Sequence, residues 1–362
     1  MDDKGFVEID GSYLEGGGQA LRNALSLSCI LGKPVRVTKI RANRPKPGLS
    51  HQHLHGVNLL RDICNADVAG NTLLSTELEF TPRTIRGSTY RVETHTAASI
   101  TLIYQMALPV LLFAGRPSRL FVAGGTNVAF APPVEYMQQV LLPHLKPLGA
   151  SFDLKVQQYG FYPRGQGSCQ LDVQPVEKLK AGQFLDFGRL QLVSGVAFTA
   201  GRLPKSLAID MQQTAQREIH RLLPEMHEIS VEAVKHAPEK ARDNGAGILM
   251  TAHTTGGCIL GAASLGQKRV DGQALGSEAS LRLAEYVRKE ICVDEHMQDQ
   301  LIIYMALAAG RSRMRTGPLS SHTRTAIHVA EQLAGVRFEV TLEAAGQTLV
   351  ECEGAGQLNG ML

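Results

Sequence analysis

The chain has 362 residues, 44% hydrophobic and 20% charged, enough for one large globular unit with an insertion or for two units. A net charge of +3 excludes a histone-like polycation but allows an anionic partner, met locally by Arg41, Arg44 and Lys46 or by Arg311, Arg313 and Arg315, unless these runs are only solvated loops. The opening MDDKGFVEIDG has no apolar signal core, no run of about 18 apolar residues occurs, and the six cysteines show no CxxC spacing. The expectation is a soluble, intracellular chain with reduced thiols and no zinc or redox motif.

One pattern recurs three times along the chain: a small-residue-rich apolar helix, a β-branched strand, a second helix, a glycine turn and another strand. In the first copy Gly18 to Leu31 reads as a helix stopped by Gly32 and Pro34, and Val35 to Ile40 as a strand. Gln52 to Cys64 is a second helix, with Leu54, Val57, Leu60 and Ile63 on one face, and Glu77 to Phe80 is a strand. The second copy gives a helix over Ala97 to Phe113, a strand over Arg119 to Val122, a helix over Val134 to Leu148 and a strand over Ser151 to Val156. The third gives helices over Asp299 to Ala309 and Ser321 to Leu333 and a strand over Val336 to Leu342.

Between the second and third copies, 185–276 carries its own strand (Leu190 to Phe198), helix (Ser206 to Leu223) and strands (Ile229 to Val234 and Gly247 to His253). The predicted fold is α/β (α+β): three βαβαββ repeats about a pseudo-threefold axis, with an inserted smaller α/β domain. Residues 1–184 and 277–362 make the large unit. Cys29, Cys64 and Cys258 lie in apolar stretches and read as core.

Several stretches could carry chemistry. Glu15-Gly16-Gly17-Gly18-Gln19 leads into the first helix, where exposed N–H groups and the helix start favour an anion. Glu15 could hold a divalent cation, and Arg22 lies one turn in. No GK[ST] follows, so this is not a P-loop, and a plain flexible turn is the rival reading. Arg41 and Arg44, stiffened by Pro45 and Pro47, form a fork suited to phosphate. His53 reads more simply as a polar residue at a helix start.

Gly124-Gly125-Thr126-Asn127 followed by Pro132 and Pro133 is a turn that could also wall a planar ring, and Gly160 to Gly167 reads as a hairpin turn. Asp299 and Gln300 open an apolar helix, where capping is the ordinary role for Asp299. Ser320 or Ser321 caps the last long helix. That puts His322 in its first turn, where the helix dipole disfavours imidazolium and leaves the nucleophilic neutral ring. His328 lies about 240° further round and faces elsewhere.

Taken in order, EGGGQ with Leu21-Arg22, Arg41 through the PGL to Gln52-His53, GGTN with Ala131-Pro132, the GFYP turn, DEHMQDQL and TGPLSSHTRTAIHVAEQ resemble the RNA 3'-terminal phosphate cyclase family over nearly the whole chain. The resemblance implies that ATP adenylates His322, that AMP passes to an RNA 3'-phosphate, and that the adjacent 2'-OH closes a 2',3'-cyclic phosphate. It implies that Glu15 binds the metal, Mg²⁺ or Mn²⁺, and the triphosphate. Gln19 and Arg22 would line the nucleotide site, and Arg41, Arg44 and Gln52 would meet phosphates of ATP or RNA. Pro132 would pack near adenine, and Asp299 and Gln300 would hold ribose or a phosphate. An RNA bearing a 3'-phosphate is the implied partner, no membrane is involved, and a eukaryotic member would be nuclear.

The chain departs from the family pattern where Tyr159 and Gln166 interrupt a basic, glycine-rich turn and where His296 replaces a common aromatic. It departs again where an aliphatic, near Ile259 or Leu260, stands for a stacking phenylalanine. Two rivals share the fold: a non-catalytic ribosomal RNA processing relative that lacks the nucleophilic histidine, and the enolpyruvyl transferases.

Overall fold

A computed structural model describes residues 5–14, 16–267 and 271–362. Four four-stranded sheets, flanked by helices, make a mixed α/β fold.

The first sheet holds β1 (Val7–Asp10), β2 (Val35–Thr38), β3 (Asp67–Ala69) and β4 (Leu78–Thr81), with α1 (Gln19–Leu31) and α2 (His51–Cys64) between its first three strands. β1 and β2 are parallel, and β4 pairs antiparallel with β2 and β3. Gly32 and Asn65 end the two helices in left-handed conformation, which frees the last carbonyls for capping. The second sheet repeats this order with β5 (Thr89–Glu93), β6 (Ser118–Gly124), β7 (Ser151–Gln158) and β8 (Gly167–Gln174).

Between β5 and β6 runs α3 (Ile100–Leu112), capped by Ser99, whose hydroxyl accepts from the Leu102 N–H. It is apolar on almost every side and buried accordingly, as a helix in the middle of a core must be. Between β6 and β7 one continuous helix was expected. The structure instead has α4 (Val134–Tyr136), a π-helical turn (Met137–Leu141) and α5 (Leu142–Leu145). Pro143 has no N–H to donate, which removes one bond of the regular ladder beside the π turn.

The third sheet begins with β9 (Gln183–Phe184), and its order resumes far downstream. The intervening fourth sheet comprises β10 (Leu190–Ala200), β11 (Ile229–Lys235), β12 (Gly245–Thr254) and β13 (Ile259–Leu265), with α6 (Lys205–Leu222) and α7 (Gly272–Arg288) packed on it. Its strand order, β11-β10-β12-β13, differs from that of the other three. Position 276, expected as the end of the insertion, falls inside α7. The chain then enters α8 (Glu295–Leu307), β14 (Ala309–Thr316), α9 (Ser321–Ala334), β15 (Phe338–Leu342) and β16 (Thr348–Ala355), which complete the third sheet in the order β15-β16-β14-β9.

The short edge strands β1, β3, β5, β9 and β13 carry little period-2 signal, and the alternating strand β8 also lay outside the sequence reading.

Helices from three different sheets meet in one core. α1 packs against α2, α3 and α9, and α8 packs against α3 and α9. Of the face that the apolar spacing marked on α2, Val57, Leu60 and Ile63 are fully buried and Leu54 is half-buried, and Leu21, Leu25, Ile103 and Val329 of the other helices are buried with them. Each such side chain contributes roughly 1.5–3 kcal/mol on leaving water. The starts of α1 and α2 meet at Gly18 and His53, and the site is built from there. All six cysteines are buried and unbridged. No helix among the described residues is long and apolar enough to cross a membrane.

Candidate functional site

Helix α1 starts at the glycine-rich segment, with Gly18 as its N-cap. A Cβ on Gly18 would lie 2.2 Å from Nε2 of His53 and 2.8 Å from Nη1 of Arg22, so only glycine lets backbone, imidazole and guanidinium converge. Gly16, at φ 55°, is overlain in the same way by the Asn43 side chain. The loop of 41–48 therefore folds over the glycine segment. Arg41 braces that loop, donating from Nη1 to the carbonyls of Lys46 and Gly48, each at 2.9 Å.

His53, which reads in the sequence as a polar residue at a helix start, touches Gly18 and lies among the cations of the cluster. Burial, then the cations Arg22, Arg41 and Arg44, push it down to about 3, so its ring is uncharged at neutral pH. The Ser50 hydroxyl lies 2.6 Å from its Nδ1 and fixes the ring. Three guanidiniums around a neutral ring at a helix start form an electropositive cradle for an anion.

Helix α8 forms the facing wall, and here one expectation is corrected. Asp299 does not cap the helix. Asp294 does, accepting at Oδ1 from the N–H groups of His296 and Met297, both at 3.0 Å, which leaves Asp299 more than a turn inside. The Oδ2 of Asp299 accepts a 2.9 Å bond from Gln19 Nε2, and Gln19 Oε1 accepts in turn from Arg22. Burial drives Asp299 up to about 7, against the opposing pull of Arg22. Gln300 donates from Nε2 to the His296 carbonyl at 2.6 Å. Gln19, Arg22, Asn23, Asp299, Gln300 and Tyr304 line a narrow crevice between α1 and α8.

Ser320 is the cap of α9, its hydroxyl accepting from the Thr323 N–H at 3.2 Å, so His322 is the second residue of the helix, and it is exposed. Gln298, next to Asp299, holds this turn in place. Its Oε1 accepts from the Ser320 N–H at 3.1 Å and the Thr323 hydroxyl at 2.7 Å, and its Nε2 donates to the Thr316 hydroxyl at 3.3 Å. Gln298 thus fastens the turn that carries His322 to α8, one residue from the Asp299 that accepts from Gln19. His328 stacks on Tyr13 with centroids 3.9 Å apart.

Gln52 and Pro132 flank the cradle. Gln52 Oε1 accepts from the Ser99 N–H at 3.0 Å, Ser99 and Thr101 hydroxyls lie 2.8 Å apart, and Thr101 donates to the Pro132 carbonyl at 2.9 Å. Glu15 lies outside the described residues. Among the described residues, no group of three or more His, Cys, Asp and Glu side chains is placed to hold a metal.

The departures find structural partners. Tyr159 stacks on His236 at 4.0 Å, near the buried Glu135, which accepts from Asn127 at 2.8 Å. Gln166 is exposed at φ 58°. His296 stands edge-on to Tyr136 at 6.1 Å. Leu260 is fully buried, whereas Ile259 is half-buried at the start of β13.

Arg311, Arg313 and Arg315 lie on β14 and not in a solvated loop. They pair across the sheet and the following turn: Arg311 with Glu339 (2.7 Å) and Glu351 (3.3 Å), Arg313 with Glu351 (2.7 Å), Arg315 with Glu343 (2.7 Å). Sequence reasoning passed over Asn43, Asp294 and Gln298. Only Asp294, an acidic residue just before an apolar helix, left a signal that could have been read.

A family model described as RNA 3'-terminal phosphate cyclase matches residues 13–340. The RNA 3'-terminal phosphate cyclase of Drosophila melanogaster is 72% identical over 362 residues, all of both chains. That of Pyrobaculum aerophilum is 37% identical over 97% of this chain and 99% of its own. A probable cyclase of Dictyostelium discoideum is 35% identical over 98% of this chain and 84% of its own. The crystal structure of the enolpyruvyl transferase NikO from Streptomyces tendae covers 97% of this chain and 49% of its own at 9% identity and a TM-score of 0.35, a likeness too slight to carry an argument. Matched by that model over almost its full length and by relatives from animal to archaeon, the chain belongs to the RNA 3'-terminal phosphate cyclase family.

Proposed function

We propose that the chain uses ATP to convert RNA 3'-phosphate ends into 2',3'-cyclic phosphates, through AMP carried on His322. The observations that support this reading are the cation cradle where the starts of α1 and α2 meet and the α9 turn fastened to α8 next to Asp299. Exposed His322 lies in the first turn of α9, which Gln298 holds to α8; the next residue, Asp299, accepts from Gln19, which accepts from Arg22 of the cradle of Arg22, Arg41, Arg44 and neutral His53.

The cradle fits a polyphosphate. Its cations and helix-start N–H groups neutralise the triphosphate and stabilise charge as pyrophosphate departs. The uncharged imidazole of His322 attacks the α-phosphate, giving a phosphoramidate. The RNA 3'-phosphate then takes the AMP, and the 2'-OH attacks the activated phosphorus and releases AMP. That last step is intramolecular, so holding the ribose still supplies much of its rate. It also requires a 2'-OH, so an RNA end is cyclised and a DNA end is not.

Donor chemistry also fits a divalent cation. Asp299 is a buried carboxylate whose ionisation a cation would favour, and Glu15 would complete the set. Mg²⁺ or Mn²⁺ there would supply Lewis-acid charge to the triphosphate. Gln52 and Pro132, joined through Ser99 and Thr101, are the wall we assign to phosphate and adenine, and Gln300 belongs to the ribose side.

Three sheets of one strand order and a fourth of another support three βαβαββ repeats about a pseudo-threefold axis, with an insertion into the third. We keep the division into a large unit and an insertion that starts at 185, but carry the insertion past 276 to the end of α7 at Arg288, so that the large unit is 1–184 with 289–362.

The test is incubation with ATP labelled at the α-phosphate. An acid-labile AMP–protein adduct is expected, lost in His322→Ala, together with conversion of a 3'-phosphorylated RNA to its cyclic end. An adduct that persists in His322→Ala would sink the assignment. The non-catalytic alternative is disfavoured because His322 and all three cradle arginines are present.

A further inference from the structure

Two large aromatic side chains project from the surface where the core has no use for them. Phe130 is fully exposed and Tyr162 is 80% exposed. Phe130 also adopts φ 65°, a conformation that a bulky residue rarely takes and that is held only where the surroundings impose it.

The two belong to neighbouring loops. Gly160 accepts from the N–H groups of Thr126 (2.9 Å) and Asn127 (3.4 Å), and its own N–H donates to the Thr126 hydroxyl at 3.1 Å. Phe130 lies two residues before Pro132, whose carbonyl is bonded through Thr101 and Ser99 to Gln52 at the edge of the cradle. Around them stand three basic side chains, Arg164, Lys240 and Arg242, and two acidic ones, Glu239 and Asp243. Arg164 follows Tyr162 and is paired with Asp243, and Lys240 and Arg242 are exposed on the segment whose Lys240 carbonyl accepts from Tyr159 at 2.7 Å. Exposed aromatic faces interleaved with cations are the means by which proteins hold unpaired nucleotides: each base has a π-face to stack and each phosphate a charge to neutralise.

We propose that Phe130 and Tyr162 form a stacking platform for the bases just upstream of the RNA 3' end, with Arg164, Lys240 and Arg242 meeting the sugar–phosphate backbone. The inference rests on the cyclase reading and deepens it, since the preferred substrate is then a single-stranded 3' end several nucleotides long. Base selectivity is weak, because stacking tolerates any base.

The test uses the full chain and two probes, a 3'-phosphorylated single-stranded RNA of about ten nucleotides and uridine 3'-phosphate. Phe130→Ala and Tyr162→Ala should each weaken the oligonucleotide by about five- to 150-fold, the range for loss of one base–aromatic stack. Uridine 3'-phosphate should be weakened far less. Phe130→Trp should restore the oligonucleotide's affinity, and 2-aminopurine near the RNA 3' end should lose its binding-induced quenching in the alanine variants. Both side chains are exposed, so folding is not at stake. The proposal is overturned if the alanine variants bind the oligonucleotide as the wild type does, or lose both probes in the same ratio. Adduct formation by the wild type without RNA tests the cyclase reading separately, so failure of one is distinguishable from failure of the other.

Discussion

Asp299 offers a quantitative handle on the site. Its carboxyl is raised from 3.8 to about 7, chiefly by burial. A folded-state value above the unfolded one means that the stabilisation is complete below about 3.8 and is lost as pH rises through 7. At roughly 1.36 kcal/mol per pKa unit, ionising Asp299 within the fold costs about 4 kcal/mol, more than half of it between pH 5 and pH 8. Asp299→Asn removes that ionisation while keeping an oxygen to accept from Gln19. At about 2.1 cal/mol/K per residue, a chain of this size should show a wild-type Tm that drops by roughly 3 °C more than that of the variant over this range. The assay is a pair of melting curves at each pH. At pH 8, Mg²⁺ or Mn²⁺ should then raise the wild-type Tm and leave Asp299→Asn nearly unmoved, because a cation offsets the buried negative charge. Parallel pH profiles for the two proteins would refute the burial argument. Equal response to the cation would remove Asp299 from the metal site.

Gly18→Ala places a methyl 2.2 Å from His53 Nε2. It should lower stability by about 1–3 kcal/mol through overpacking and weaken ATP binding more than tenfold, both readable by calorimetry. Tyr136→Phe removes the 2.6 Å bond to Asp294, the residue that caps α8 and also accepts from the Gly261 N–H of the fourth sheet. A loss of about 1.5–3 kcal/mol in denaturant unfolding is expected for a buried bond to a charged group, and a change under 0.5 kcal/mol would contradict it. Arg311→Ala breaks two ion pairs on the third sheet, one exposed with Glu339 and one with the less exposed Glu351, which keeps Arg313 as a partner. Stability should fall by at most about 1 kcal/mol, and the yield of AMP adduct should stay at the wild-type level.

Much of the local structure was written in the sequence because it follows from short-range chemistry. Apolar spacing with Gly32 and Gly335 as stops located α1 and α9, and runs of β-branched residues located β2, β10 and β12. The start of α8 escaped because Asp294 and Asp299 are both acidic and both plausible caps. Only the hydrogen bonds to His296 and Met297 decide between them. Edge strands such as β9 escaped because two residues have no period, and their place in a sheet is fixed by partners more than 100 residues away.

By itself the sequence determined the type of side chain available and the spacing that puts each at a helix start or in a loop: His322 in the first turn of α9, Arg22 one turn into α1, Arg41 and Arg44 in one bend. Tertiary structure alone decided which of them meet and in what state. His53 is uncharged because burial and three guanidiniums surround it, and Asp299 holds its proton to about 7 because α1 and α8 enclose it. Gln298 positions His322 across a helix–helix contact. Desolvation and charge proximity depend on neighbours brought from distant parts of the chain, and no local pattern of residues records them.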